Sequence, residues 1–155
     1  MNTQQAEALE LRIERVIRAD RKRVFAAWTE PEQLKRWSAP EGLTISEGKG
    51  EVRAGGRWRA VMVEPNGTRH EAFGTYREVT PPERLVFTHA WRLAGDGGPA
   101  SSPETVVTVE FKAEAGATRI VFTQVGFANA RTRDGHRTGW TSALDLLASM
   151  LGENA

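Results

Sequence analysis

The feature of this sequence that most restricts its fold is a long run of strand patterns that no helical pattern interrupts. Between residues 43 and 125 apolar and polar residues alternate in six segments, one of which has Val107, Val109 and Phe111 on one face. An alternation of period two is typical of a strand with one buried face. Asn66-Gly67 predicts a hairpin between two of the segments. Strands joined by hairpins are antiparallel, so we expect consecutive antiparallel pairing.

Patterns on either side of this run complete the order of the elements. Residues 11–17 alternate as a first strand. Asp20 is a favourable N-cap, and Pro31 is tolerated in a first helical turn, so two short helices should follow that strand. Residues 131–151 predict one long C-terminal helix. The expected fold class is therefore α+β, with a curved antiparallel sheet of six or seven strands wrapped around that helix.

Length and composition restrict both the organisation of the chain and its function. The 155 residues suit a flexible tail over residues 1–10 and a single domain over residues 11–152. The absence of cysteine excludes a disulfide framework and a thiol nucleophile. A formal net charge of +1 gives no reason to expect nucleic-acid binding. Since residues 1–20 contain no apolar run, we expect a cytoplasmic protein with no membrane insertion.

The apolar face of the C-terminal helix changes character along its length. Its stripe recurs at spacings of four, three and four residues, in Trp140, Leu144, Leu147 and Leu151. One step further back the stripe meets His136, and Gly139 leaves a gap beside the helix. Each buried leucine contributes about 2 kcal/mol, which should hold the C-terminal half against the sheet. The N-terminal half should stand away from the sheet and line an internal cavity.

Strand residues of one parity should form the opposite wall of this cavity. Phe73 belongs to that wall only if no bulge near Gly74 reverses its orientation. Trp37, on the second short helix, fits either the core or the cavity mouth. A mostly apolar wall with a few polar groups is typical of small-molecule sites. The candidate ligand-binding residues are Trp37, Trp58, Phe73, Phe87, His89, Trp91, Phe122, Gln124, His136 and Trp140.

Several segments together resemble a known family. The resemblance is carried by PEQLKRW, AGGRWRAVM, PNG followed by GTYREVTPPERLVF, and HRTGWTSALDLLASML, and covers about residues 10–152. These segments resemble the activator of heat-shock-protein-90 ATPase homologue-like family of the START/SRPBCC superfamily. The resemblance implies the helix-grip fold and an internal cavity for hydrophobic or amphipathic molecules. It implies no single function, because members include ligand carriers, polyketide cyclases, aromatase-like enzymes and a co-chaperone domain.

Three functions are therefore weighed for this chain. The leading hypothesis is binding of a hydrophobic or amphipathic small molecule in the cavity, without a cofactor. The first alternative is a polyketide cyclase/dehydratase-like enzyme in which His89 or His136 transfers protons near neutral pH, although either histidine also fits a structural role. The second is a co-chaperone-type interaction domain, which would need a large exposed apolar or charged patch. The oligomeric state stays open and includes a homodimer.

The other candidate motifs give little support for a catalytic or metal site. The sequence contains no GxSxG, HExxH or P-loop motif, and we assign no catalytic residue. No metal site is expected, because the third histidine, His70, belongs near the end of a hairpin. Arg131, Arg133 and Arg137 lie near the start of the last helix and suit either a solvated surface or recognition of an anionic group at the cavity mouth.

Overall fold

The computed structural model describes residues 9–39, 42–93 and 101–152. Residues 1–8 of the expected tail lie outside this range. The elements follow the predicted order: β1 (Leu11–Ile17), α1 (Arg21–Thr29), α2 (Pro31–Trp37), β2 (Thr44–Gly50), β3 (Arg57–Val63), β4 (Arg69–Thr80), β5 (Arg84–Leu93), β6 (Thr105–Glu114), β7 (Ala117–Val125) and α3 (Ala130–Gly152). The predicted α+β class, the two short helices and the long C-terminal helix are confirmed.

The seven strands form one antiparallel sheet in the order β1-β7-β6-β5-β4-β3-β2. Each strand from β2 to β6 pairs with the next in sequence, and β1 pairs with β7. The hairpin predicted at Asn66-Gly67 is present: Gly67 has φ 92°, and the backbone N–H of Glu64 donates to the carbonyl of Thr68. Because β1 and β2 lie at opposite edges, the α1–α2 connection must cross the sheet.

Local interactions mark where the two short helices begin and hold them together. The Asp20 carboxylate accepts a hydrogen bond of 2.9 Å from the backbone N–H of Arg23, as an N-cap does. Pro31 occupies the first turn of α2. The indole N–H of Trp37 donates to the carbonyl of Ala27 at 2.9 Å, which fastens the end of α2 to α1. The two helices therefore pack as a unit against the sheet.

The C-terminal half of α3 packs into the core. Leu144 and Leu147 have no exposed surface, whereas Leu146, on the other side of the helix, is 46% exposed. Arg15 of β1 also forms an ion pair with Asp145. Each buried leucine contributes about 2 kcal/mol, so the leucine contacts fix the helix on one face of the sheet, which we call the inner face.

The ladder between β4 and β5 is interrupted beside Gly74. The pairing register skips Gly74 and Thr75, and side chains take over the hydrogen bonding. The N–H of Thr75 donates to the Thr88 hydroxyl at 2.8 Å, and the Trp58 indole N–H donates to the Thr88 carbonyl at 3.1 Å. A Cβ at position 74 would lie 1.9 Å from that carbonyl oxygen. The close approach therefore requires glycine.

Candidate functional site

Two adjoining hollows lie between the inner face of the sheet and the helices. The smaller, of about 80 Å³, lies under α1 and α2 and has Trp28, Trp37 and Trp58 in its wall; we call it the recess. The larger, of about 370 Å³, borders the N-terminal half of α3, and we call it the cleft. The cleft is lined by Ser38, Met62, His89, Trp91, Thr132, Gly135, His136, Gly139 and Trp140. Four of these residues also line the recess: Ser38, Met62, His89 and Trp140.

Volume distinguishes the two hollows. An engineered protein cavity of about 150 Å³ is enough to hold benzene, so the recess at about 80 Å³ is small even for one ring. The cleft, at about 370 Å³, falls within the range of about 300–1,000 Å³ that is usual for small-molecule sites. The cleft is therefore the candidate site, and the recess is its narrower extension.

Glycine gives the α3 side of the cleft its open character. Gly135 and Gly139 lie four residues apart, on one face of the helix, and both line the cleft. A Cβ added to Gly135 would meet no atom within 4 Å. The wall of α3 is thus bare backbone at these positions, where a leucine would fill the space.

Each ring nitrogen of His136 has a hydrogen-bond partner within the protein. The Trp91 indole N–H donates to Nε2 of His136 at 3.1 Å, so Nε2 carries no proton. Nδ1 lies 2.9 Å from the carbonyl oxygen of Thr132, which can only accept, so Nδ1 carries the proton. Both ring nitrogens are therefore occupied. His136 therefore orients Trp91 and has no free nitrogen for a ligand.

His89 differs from His136 in its hydrogen bonding. Its side chain is buried, and its ring centroid lies 5.6 Å from that of Trp58, 5.4 Å from Trp91 and 6.1 Å from Trp140. Burial, and secondarily the proximity of His136, lowers the pKa of His89 from 6.5 to about 3. Within the described part of the chain, no group forms a hydrogen bond with its ring nitrogens. His89 is thus a neutral imidazole without a partner among the described residues, and it borders both hollows.

The remaining polar groups at the cleft have partners inside the protein. The indole N–H of Trp140 donates to the Gln124 side-chain oxygen at 2.9 Å, and the Gln124 amide donates to Thr105 at 2.8 Å. The Ser38 hydroxyl donates to the Leu34 carbonyl at 2.7 Å. The Thr132 hydroxyl bonds to Asn129 at 3.0 Å. These bonds hold the walls of the cleft in a fixed arrangement.

The structure brings together most of the candidate residues. His89, Trp91, His136 and Trp140 line the cleft, and Trp37, Trp58 and Phe87 line the recess. Phe122 and Gln124 face inward but lie behind the cleft with no exposed surface: Phe122 packs on Trp140, with ring centroids 4.6 Å apart, and Gln124 holds the Trp140 indole.

Phe73 is the candidate whose orientation must be corrected. Ala72 and Gly74 stand opposite the inward residues Ala60 and Trp58, so Phe73 between them lies on the outer face. There its ring centroid is 4.1 Å from the guanidinium carbon of Arg92. The register shift of β4 comes after Phe73, between Tyr76 and Glu78, and so does not turn Phe73 inward.

Sequence reasoning missed several residues of the cleft. Met62 shares inward parity with Trp58, which was an available signal. Gly135 lies one turn before Gly139, and a second glycine on that face of the helix was also an available signal. Nothing in the sequence singled out Ser38 and Thr132. Arg131, Arg133 and Arg137 line neither hollow, and Arg133 bonds to Asp134 at 3.0 Å. The recess has one unexpected feature: Nε1 of Trp28 is buried without a partner among the described residues.

The outer face carries a charged cluster. Glu71 is buried there and accepts hydrogen bonds from Arg59, at 2.9 Å, and from Arg92. Burial by itself would raise the pKa of Glu71, but the hydrogen bonds and positive charges of the two arginines outweigh it and lower the pKa below 4.5. Both arginines hold the Glu71 carboxylate, so the groups of this cluster are engaged with one another. In the described ranges, no three His, Asp or Glu residues are grouped as a metal site requires.

Comparison with known proteins gives a family match that covers most of the chain. The model of the family described as Activator of Hsp90 ATPase homolog 1-like protein matches residues 18–152. No curated protein matches the sequence. Within the residues that the structure describes, no helix is long and apolar enough to cross a membrane.

Solved structures from several bacteria are similar to this chain. The AHSA1 protein of Silicibacter pomeroyi is 28% identical, with a TM-score of 0.82 over 94% of this chain and 99% of that one. A protein of Chromobacterium violaceum is 26% identical, with a TM-score of 0.80 over 92% and 96%. A protein of Arthrobacter aurescens is 26% identical, with a TM-score of 0.82 over 96% and 88%.

Proposed function

Because the chain belongs to the activator of Hsp90 ATPase homolog 1-like family, we propose that it binds a hydrophobic or amphipathic small molecule in the cleft. The family supports a ligand-binding or a co-chaperone-like fold, so the choice between these functions rests on the residues. One observation carries the proposal. His89 places an unmatched imidazole in a cleft of about 370 Å³ whose other polar groups are already paired.

The walls of the cleft favour an apolar guest. Met62, Trp91 and Trp140 supply thioether and indole surface, and burial of apolar area contributes about 25 cal/mol for each Å² removed from water. The bare backbone of Gly135 and Gly139 adds little polar character, because the N–H and C=O groups within a helix are bonded along the helix. A guest here would gain affinity mainly from burial and orientation from His89.

The histidines are poorly suited to the cyclase/dehydratase-like alternative. A general acid or base works best when its pKa lies near the working pH, whereas the pKa of His89 is lowered to about 3. His136 can accept a proton on Nε2 only by giving up the bond from the Trp91 indole. Proton transfer therefore has no ready donor in this pair, which supports binding over catalysis.

The co-chaperone alternative needs a large exposed apolar or charged patch, and the described surface gives little support for an apolar one. The large apolar side chains exposed on that surface are Val16, Val125 and Leu146. Val16 and Val125 lie at opposite ends of the β1–β7 pair, and Leu146 lies on α3, so they form no common patch. A broad apolar docking surface is therefore not what this part of the chain offers.

Native mass spectrometry of the purified protein tests the proposal, followed by thermal melts with the compound that it retains. We expect a reproducible small guest at one per chain, and a rise in melting temperature with added guest. Gly135→Leu should abolish both effects by filling the cleft. Thr138→Leu, at an exposed position on the same helix, should preserve them. Absence of any guest, or equal binding by both variants, would contradict the proposal.

A further inference from the structure

The hydrogen bonds around the cleft indicate which polar group a guest should carry. A neutral imidazole offers one donor and one acceptor, and at His89 neither is used by a described residue. A guest that supplies a partner to either ring nitrogen therefore gains a hydrogen bond within the cleft. A hydroxyl group suits the position best, because it can donate to the bare nitrogen or accept from the protonated one.

The charge of the cleft restricts the guest further. No Asp, Glu, Lys or Arg is among its described lining residues. On α3, Arg133 and Asp134 are bonded to each other. Burial of an ion without an opposite charge or a full set of hydrogen bonds is strongly unfavourable. The guest is therefore uncharged where it enters the cleft.

The walls also restrict the shape of the guest. The rings of Trp91 and Trp140 lie 5.4 Å and 6.1 Å from that of His89, and Gly135 presents no side chain on the helix side. Aromatic rings pack favourably with offset or edge-on partners at centroid distances of about 4.5–7 Å. A flat ring system makes such contacts with least loss of conformational entropy, because it has few rotatable bonds.

We infer that the natural guest of the cleft is an uncharged aromatic alcohol whose hydroxyl group bonds to His89. This inference rests on the proposed function and narrows it to one chemical class. The aromatic rings supply contact area against the two indoles, and the single hydroxyl group fixes the orientation of the guest. Aromatic hydrocarbons, carboxylates and ammonium compounds should all bind more weakly than an alcohol of the same shape.

Three two-ring probes test the inference by titration calorimetry or protein-detected NMR: 2-naphthol, naphthalene and 2-naphthoate. For the wild-type protein we expect naphthalene to bind about tenfold more weakly than 2-naphthol, because the hydrogen bond is worth about 1.4 kcal/mol. 2-Naphthoate should bind at least as weakly as naphthalene. Comparison within one protein avoids any dependence on how a variant folds.

Variants at His89 give the second arm. His89→Phe keeps an aromatic ring and removes both ring nitrogens, so it should abolish the preference for 2-naphthol over naphthalene. His89→Gln keeps a donor and an acceptor and should retain most of the preference. His70→Phe is the matched control, because His70 bonds to Glu64 and does not line the cleft.

The outcomes separate this inference from the function on which it rests. Equal binding of 2-naphthol and naphthalene, or a preference that survives in His89→Phe, would overturn the aromatic-alcohol assignment while leaving small-molecule binding in place. Tighter binding of 2-naphthoate would overturn the uncharged class. Failure of all three probes to bind, together with no guest retained on purification, would contradict the proposed function itself.

Discussion

At the scale of single residues, His89 is kept neutral by its surroundings, and this has a consequence for stability. Its pKa is lowered from 6.5 to about 3 in the folded protein by burial and then by His136, whereas in the unfolded chain it stays near 6.5. Between about pH 6.5 and 3 the unfolded chain binds a proton that the folded protein does not. The free energy of unfolding should therefore fall on acidification, by up to about 1.4 kcal/mol per pH unit.

Urea denaturation of the wild type and His89→Phe at several pH values across this window measures the effect. We expect the wild type to lose stability more steeply than the variant as the pH falls, with both curves level above pH 7. His70→Phe should keep the steep decline that His89 causes. Parallel curves for the wild type and His89→Phe would show that His89 is not held neutral by folding.

Glu71 is the residue on which the outer-face cluster depends. Its side chain is 5% exposed, while those of Arg59 and Arg92 are 37% and 30% exposed. Removal of one partner from a buried ion pair costs about 3–5 kcal/mol, and the partial exposure of both arginines reduces this, so we expect Glu71→Gln to cost about 2 kcal/mol. Denaturant unfolding measures the loss.

Glu47→Gln is the matched control for Glu71. Glu47 is 44% exposed and pairs with Arg69 at 3.2 Å and, at the longer distance of 3.9 Å, with Arg59, so its loss should cost less than about 1 kcal/mol. Equal losses for the two variants would mean that the cluster is no more than a surface network.

At the scale of elements, glycine has opposite roles in β4 and α3. A Cβ at Gly74 would lie 1.9 Å from the Thr88 carbonyl and 2.7 Å from the Trp58 indole nitrogen, whereas a Cβ at Gly135 meets nothing within 4 Å. We expect Gly74→Ala to destabilise the protein by about 2–3 kcal/mol through overpacking. Gly135→Ala should stabilise it by about 0.5–1 kcal/mol through helix propensity.

The melting temperature and the urea midpoint should therefore fall in Gly74→Ala and rise in Gly135→Ala. A loss of stability in Gly135→Ala would show that the α3 side of the cleft is filled. An unaffected Gly74→Ala would show that the interrupted ladder can relax, so that the Thr88 bonds to Thr75 and Trp58 would not need glycine between them.

The elements themselves were largely predictable from the sequence, because period-two and helical periodicity report which face is buried. This gave the seven strands and the leucine stripe of α3. The sequence could not give the Trp91–His136 bond, which joins residues 45 positions apart and depends on how α3 lies across β5. It also left Phe73 open, since the sequence does not fix the pairing register, which decides the face on which a strand residue lies.

At the scale of the whole molecule, the sheet and α3 border the cleft at the N-terminal end of the helix and pack together as core at its C-terminal end. Leu144, Leu147 and Leu151 close one end, while the two glycines leave the other open beside His89. The family and the similar structures agree with this fold, but any ligand would be specified by side chains, which differ among proteins that are 26–28% identical. Function therefore has to be tested at the cleft.

The most direct test is to locate a bound guest by intermolecular nuclear Overhauser effects. With saturating 2-naphthol, we expect contacts from the probe to the side-chain protons of Met62, Trp91 and Trp140, which line the cleft together with His89. Contacts confined to the outer face around Phe73, or no contacts at all at saturation, would contradict the account.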